Sequence, residues 1–449
     1  MSSVLALSAT LEPLSPSMMA GSKKYDLSEF GYLDSTKYSL KDFLVGDELD
    51  AMHLHERLDL TDSFVMDANL RNHNHVRRTS SSGSKIVVNL RDHNGHAYDQ
   101  VLNFASNDYL NLTQHAHVIG SAIAALQKYG AGAGSVPLLA GTHDIHRELE
   151  ERTAQVKGCE AAATFTSGFG ANYGVLSTIL RDKDVAILDT LAHASLFDGC
   201  KHSNQRLFRH NDMKSLEKVL KRAQHQFVNK VVIVDGVYSM DGDIACLDQI
   251  VALAHQYGAL VLVDEAHATG VIGRDGRGTS SHFNIEGKVD IVCGTYSKAL
   301  GGVGGYVAGS QKLINYIQLL SRPYVFSTAM PPSVAAGLIA SYDVIEGEPE
   351  RRARLWDNIR YYRSNLAAAG FDLGVSETAI VPITFGDETK VKELCGEMLR
   401  KGIMVNPVVF PAVPRRLSRI RTTVTADHTP EQIDHCTRSL KEAAHSVGI

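Results

Sequence analysis

The chain has 449 residues, 44% hydrophobic and 21% charged, with a formal net charge of -5. That is ordinary globular composition with room for two or three domains, and it leaves no basic footprint for nucleic acid or an anionic membrane. No apolar run reaches the roughly 18–20 residues that span a bilayer, no basic segment precedes the short apolar stretch Val4–Leu7, and the six cysteines form no CxxC pair, the pattern of reduced thiols in a cytoplasmic enzyme.

Residues 1–24 are rich in Ser, Ala, Leu, Pro and Met and read as disordered. Residues 25–84 turn charged and rich in His and Asn, with short helices expected around Leu40–Leu58. The cluster RNHNHVRR (Arg71–Arg78) reads as a solvated basic loop, because His73 and His75 on a loop define no metal geometry. SSSGS after it is a flexible connector. KIVVNL, a turn at DHNGH and YDQVLNFAS predict a hairpin entering the main domain. A helical period over Ala116–Gly130 stops at the glycine. GAGAGS (Gly130–Ser135) is either a plain turn or a close approach of backbone to a ligand.

A charged amphipathic helix (Ile145–Lys157) precedes a strand over Ala161–Phe165, a glycine turn and a helix from about Ala171. A glycine turn feeding a helix N-terminus is a natural phosphate seat. Strands at Val185–Asp189, Val231 onward and Leu260–Asp264 then alternate with helices, the signature of a mostly parallel doubly wound sheet. Such sheets bind ligands beyond the C-terminal ends of their strands. There the sequence offers Asp264 and His267, then Thr295, Ser297 and Lys298. An acid, an imidazole, two hydroxyls and a lysine suit a cofactor with a basic ring nitrogen, a phosphate and an aldehyde. Small neighbours would desolvate Lys298 and lower its pKa, as Schiff-base chemistry needs. A long helical stretch from Ser333 to Ala369 leads to a smaller α+β unit whose last helix carries a Thr429–Gln432 capping box.

Two motifs invite other readings. DEAH (Asp264–His267) matches the acidic box of an ATPase, but that chemistry needs a GxxxxGK[ST] loop, which the sequence lacks. GGVGGY (Gly301–Tyr306) lacks the spacing of a dinucleotide fingerprint.

In order and spacing, NDYL, SGFGAN, HASLFDG, RHND, GVYSMDGD, LVDEAHATG, GTYSKALG, RPYVFSTAMPP and RIRTTVTADHTPEQI resemble the α-oxoamine synthases, from about Asn103 to the C-terminus. The resemblance implies an α/β, fold-type I enzyme: an N-terminal extension (1–84), a large domain binding pyridoxal 5'-phosphate (PLP) with a mostly parallel sheet between helices (85–335), and a small C-terminal α+β domain (336–449). It implies a decarboxylating condensation of an amino acid with an acyl-CoA or acyl-carrier-protein thioester. Lys298 would hold the cofactor aldehyde, Asp264 its ring nitrogen and His267 its 3-oxygen. His193 would stack on the ring and steer the substrate carboxylate, with Ser239 beside the ring. Gly168, Phe169 and Thr295 would hold the phosphate. Thr328 would reach the neighbouring subunit's cofactor, making the enzyme a homodimer. Arg421, with Asn107, would bind the amino acid.

Several stretches resemble serine palmitoyltransferases most. Serine and a long-chain acyl thioester, as in sphingolipid-type base synthesis, are therefore the expected substrates. Glycine, alanine or cysteate with another acyl thioester, and an aminotransferase reaction, are the alternatives. A cytoplasmic enzyme is expected, with peripheral membrane contact left open. The chain departs from the family pattern in the glycine loop, where SVPLLAGT carries no arginine, and at Asn111, where a glycine is usual.

Overall fold

In a computed structural model, residues 95–449 are described without a break, with 26–28, 31–35, 37–38, 40–43, 47–70, 77–78 and 87–92 before them. The expectations for residues 1–24, for the connector and for most of the histidine cluster lie outside the described residues. Helices occupy Leu40–Phe43, Asp47–Ala51 and Leu54–Leu70, running past the stretch the sequence suggested.

The centre is a seven-stranded sheet. Its strands are β1 (Ala161–Phe165), β2 (Val185–Asp189), β3 (Asn204–Phe208), β4 (Lys230–Asp235), β5 (Leu260–Asp264), β6 (Ile291–Thr295) and β7 (Gly305–Gly309). Their order across the sheet is β1-β7-β6-β5-β4-β2-β3. β7 is antiparallel to both neighbours, and the remaining pairings are parallel.

The continuous apolar runs follow from burial on both faces. Along β5, Val261 and Val263 enter one core and Leu262 enters another. Along β4, Val232 and Val234 face the first core, and Val231 and Ile233 the second. β4 and β5 thus each feed a core on either side, and only their ends carry polar groups. The second core is closed by α1 (Gly168–Ile179) through Ala171, Val175 and Leu176.

A three-stranded antiparallel sheet lies toward the C-terminus, with β10 (Arg419–Thr423) between β8 (Ile380–Thr384) and β9 (Asn406–Val408). The hairpin Val87–Arg91/Ala97–Asn103 forms as expected. It does not enter the large sheet: Leu102 and Asn103 pair in parallel with Ile403 and Met404. We assign the hairpin to the C-terminal layer on that pairing. The helical stretch from Ser333 to Ala369 divides into Pro332–Gly347 and Pro349–Ala368. Pro349 has no N–H to continue the first helix and a φ suited to starting the second.

Candidate active site

Pleat parity decides which strand-end groups meet. Side chains two residues apart share a face. Asp264 therefore lies on the side of Leu262, Asp235 on that of Ile233, and Thr295 on that of Cys293, all in the core covered by α1. Asp235 and Asp264 sit directly opposite each other in the β4–β5 register. Glu265, one residue on, falls on the other face. There it accepts from the Lys157 ammonium at 3.4 Å and from the Thr279 N–H at 3.0 Å. DEAH is thus a strand end whose Asp and His serve one face and whose Glu anchors the other.

Around these groups lies a cavity of about 240 Å³. Gly168, Phe169, His193, Asp264, His267, Thr295 and Lys298 all line it. α1 begins at Gly168, earlier than the sequence suggested, with Ser167 as its N-cap and the Ser167 Oγ accepting the Gly170 N–H at 2.9 Å. That leaves the Gly168 and Phe169 N–H groups without intrahelical partners at the positive end of the helix. A side chain at position 168 is excluded, since its Cβ would stand 2.7 Å from the Thr295 Cβ. Thr295 donates to the Gly304 carbonyl at 2.8 Å and bonds the Ser297 hydroxyl at 2.8 Å.

Asp264 is a braced acceptor. Its Oδ2 takes the Asn172 amide at 2.6 Å, and its Oδ1 the Ala266 N–H at 2.9 Å. The same Asn172 amide reaches the Ser195 Oγ at 2.9 Å, which bonds the His193 Nδ1 at 2.7 Å. His193 caps the helix Ala194–Gly199, and its N–H donates to Asp235 Oδ1 at 3.0 Å. Desolvation outweighs the nearby Asp264 carboxylate and lowers the His193 pKa. Burial does the same to His267, helped by Lys298 and Arg421. A neutral imidazole at 267 fits its 2.7 Å bond to the Tyr109 hydroxyl.

Lys298 follows β6 at the same edge. Burial drives its pKa down to about 8 against the pull of Asp264, with Arg421 assisting. This is the desolvated amine that the sequence predicted.

Arg421 comes from β10 and reaches across the seam. Its Nε donates to the Ser239 carbonyl at 2.7 Å and its Nη2 to Asn107 Oδ1 at 3.1 Å. Tyr109 donates to the same Asn107 oxygen at 3.3 Å, tying Arg421 to His267. Ser239 enters the structure through its carbonyl and does not line the cavity. Thr328 also stands apart, in a small cleft with Pro137, Phe165 and Met330.

Asn172, Ser195 and Asp235 line the cavity but were not singled out in the sequence. Signals existed for two of them. Asn172 lies four residues past Gly168, one helical turn along the same face. Asp235 ends VVIVD just as Asp264 ends LVLVD.

The residues fit PLP on structural grounds. Asn172 Oδ1 is buried with no hydrogen-bond partner among the described residues. A helix N-terminus faces a hydroxyl pair, and a depressed lysine lies across from a braced carboxylate.

Comparison with known proteins agrees. The family of class I and II aminotransferases matches residues 99–440. An 8-amino-7-oxononanoate synthase of Thermoanaerobacter pseudethanolicus is 44% identical over 82% of this chain and 92% of its own. One from Bacillus subtilis is 43% identical over 82% and 93%. Among solved structures, a serine palmitoyltransferase from S. paucimobilis with bound PLP–myriocin superposes with a TM-score of 0.83 at 32% identity, covering 88% of this chain and 100% of its own. The chain belongs to the class I and II aminotransferase family and, within it, is a PLP-dependent α-oxoamine synthase, an acyltransferase.

Proposed function

We propose that the protein condenses alanine with a pimeloyl-type acyl thioester, with loss of CO₂. The observation that carries the substrate choice is the name shared by relatives 43–44% identical over more than nine-tenths of their own length. An 8-amino-7-oxononanoate carries its ketone and amine on adjacent carbons of a nine-carbon acid. Cleaving the bond between them leaves an alanine-derived fragment and a pimeloyl group. These relatives do not support the expected serine and sphingolipid-type base synthesis, and they favour the alanine alternative.

PLP, when bound, supplies an aldehyde that captures the amino group and a ring that withdraws electrons from Cα. The remaining work belongs to the chain. Asp264, held by Asn172 and the Ala266 N–H, offers a fixed carboxylate to the ring nitrogen. Gly168 and Phe169 would offer backbone N–H groups to the phosphate, and Thr295 its hydroxyl once turned from the Gly304 carbonyl. Arg421 presents its guanidinium to the substrate carboxylate from a position fixed by Ser239 and Asn107. Lys298, with its pKa lowered to about 8, is neutral often enough near neutrality to take a proton from Cα. His193 uses Nδ1 on Ser195, which leaves Nε2 to meet the carboxylate or the new carbonyl.

We also propose that the active form is a cytoplasmic homodimer. The resemblance to α-oxoamine synthases assigns Thr328 to the partner's site, and its position outside its own cavity is compatible with that role. The Ala329 N–H donates to the Ser135 carbonyl, so the loops at 135–141 and 326–330 adjoin. They expose Leu139 (81%) and Phe326 (74%), an apolar patch suited to a second copy. Among the described residues, no helix is long and apolar enough to cross a membrane.

A second reading, serine with a long-chain acyl thioester, draws on the structural likeness to serine palmitoyltransferase. Thiol release from pimeloyl-CoA and palmitoyl-CoA, each with alanine, serine or glycine, separates the two. Alanine with pimeloyl-CoA should give the highest kcat/KM. Faster release with serine and palmitoyl-CoA would overturn the alanine reading.

A further inference from the structure

The GVYSMDGD turn connects the cofactor sheet to the C-terminal sheet, and two arginines hold it. Arg419 and Arg421 lie two residues apart on β10, the central strand of its sheet, so they share a face. Both are buried. Arg421 Nε donates to the Ser239 carbonyl at 2.7 Å. Arg419 Nη1 donates to the Met240 carbonyl at 3.1 Å and to Asp241 Oδ1 at 2.7 Å. Arg419 Nε donates back to the Leu417 carbonyl at 3.0 Å, which fixes the guanidinium plane. Three consecutive residues of the turn are thus gripped by two neighbouring guanidinium groups.

The next residue closes the seam from the other side. The Gly242 carbonyl accepts from the Glu377 N–H at 3.1 Å and the Thr378 hydroxyl at 2.9 Å. Gly242 has φ +73, and a Cβ there would lie 2.3 Å from the Ile380 carbonyl oxygen. Only glycine allows so close an approach. Arg421 itself has one short tether to this turn and one to Asn107. Arg421 does not itself line the cavity, though its charge acts on His267 and Lys298 there. Its placement beside the cavity depends on where the turn sits, and the Arg419–Asp241 pair helps to set that.

We propose that Arg419 and Asp241 are positioning residues that set the guanidinium of Arg421 for the amino-acid carboxylate. This rests on the reading of Arg421 as the carboxylate-binding residue. The pair acts on the amino acid only. Neither Arg419 nor Asp241 lines the cavity.

The test uses the PLP-loaded enzyme with alanine as the varied substrate. The Asp241 side chain is 24% exposed, and Arg419 keeps its bonds to the Leu417 and Met240 carbonyls, so Asp241→Ala should leave the fold intact. It should raise the alanine KM about tenfold, the worth of one charge-assisted hydrogen bond. The kcat, the acyl-thioester KM and the cofactor's visible absorbance should stay within about twofold on the same reasoning. Alanine binding, followed by the change in that absorbance, should weaken in step with KM. Asp241→Asn retains the accepting oxygen and should recover most of the affinity. In an Arg421→Lys background, Asp241→Ala should add little further loss, because both act through one group. An unchanged alanine KM in Asp241→Ala, or full additivity with Arg421→Lys, overturns the proposal. If Arg421→Lys leaves the alanine KM unchanged, the assignment of Arg421 fails first.

Discussion

Two carboxylates end neighbouring parallel strands in direct register, and the structure gives them different jobs. Asp264 has two donors aimed at it; among the described residues, Asp235 accepts only the His193 backbone N–H. Burial, with Asp264 beside it, raises the Asp235 pKa well above the usual carboxylate range, against the opposing Lys298. Asp235 is thus pushed toward its protonated form. An amide imitates a protonated acid, so Asp235→Asn should keep kcat/KM within about tenfold, whereas Asp264→Asn should cost at least about a hundredfold. Equal losses in the two variants would refute the division of labour. Lys298 supplies a second prediction. Its amine must be neutral to capture an aldehyde, and it is neutral above about pH 8. The rate at which apoprotein takes up PLP, read by absorbance, should therefore rise as pH passes through about 8. A profile still climbing toward the ordinary lysine range would mean that Lys298 is not desolvated.

At the scale of elements, the RHND segment binds strand ends on the face away from the cavity. Asp189 falls there by parity with Ile187, opposite to Asp235 and Asp264. The His210 ring bridges Asp189 at 3.0 Å and Asp243 at 2.8 Å, using both nitrogens as donors. Burial of the ring opposes its charge, but the two carboxylates prevail and push its pKa up to about 10. A pKa raised on folding stabilises fully below the unfolded value of about 6.5, and that contribution is lost as pH rises toward about 10. His210→Asn should therefore lower the unfolding midpoint most below pH 6.5 and least near pH 10. A deficit independent of pH would show that the bridge is uncharged. The direction of β7 was open to the same kind of reasoning. Only residues 296–304 separate it from β6, too few for the crossover that a parallel neighbour requires.

For the whole molecule, the exposed Leu139 and Phe326 beside the cleft holding Thr328 are the features that a second copy would cover. Phe326→Asp places a charge in that patch. It should shift sedimentation toward monomer and reduce turnover, since each site is proposed to draw Thr328 from its partner. A variant that remains dimeric and fully active would remove this patch from the interface. The seam between the two sheets is the other feature of this scale. Arg421 and Asn107 are 314 residues apart in sequence yet meet at 3.1 Å. The hairpin at Val87–Asn103 closes on Ile403 and Met404 in the same way.

By itself, the sequence determined the buried parallel strands and the chemistry at their C-terminal ends, but not the polar edge strand Asn204–Phe208. Continuous apolar runs require burial on both faces, and a glycine turn before a helix exposes N–H groups whatever else surrounds it. Period-two alternation then decides which strand-end groups share a face, so Asp264, Thr295 and, had the repeated VVIVD and LVLVD endings been compared, Asp235 were legible. Strand order, the pairing of the hairpin with the C-terminus and the grip of Arg419 and Arg421 on residues 239–241 were decided by tertiary structure alone. Those contacts join segments far apart in the chain, and local periodicity carries no information about which distant segment supplies the partner.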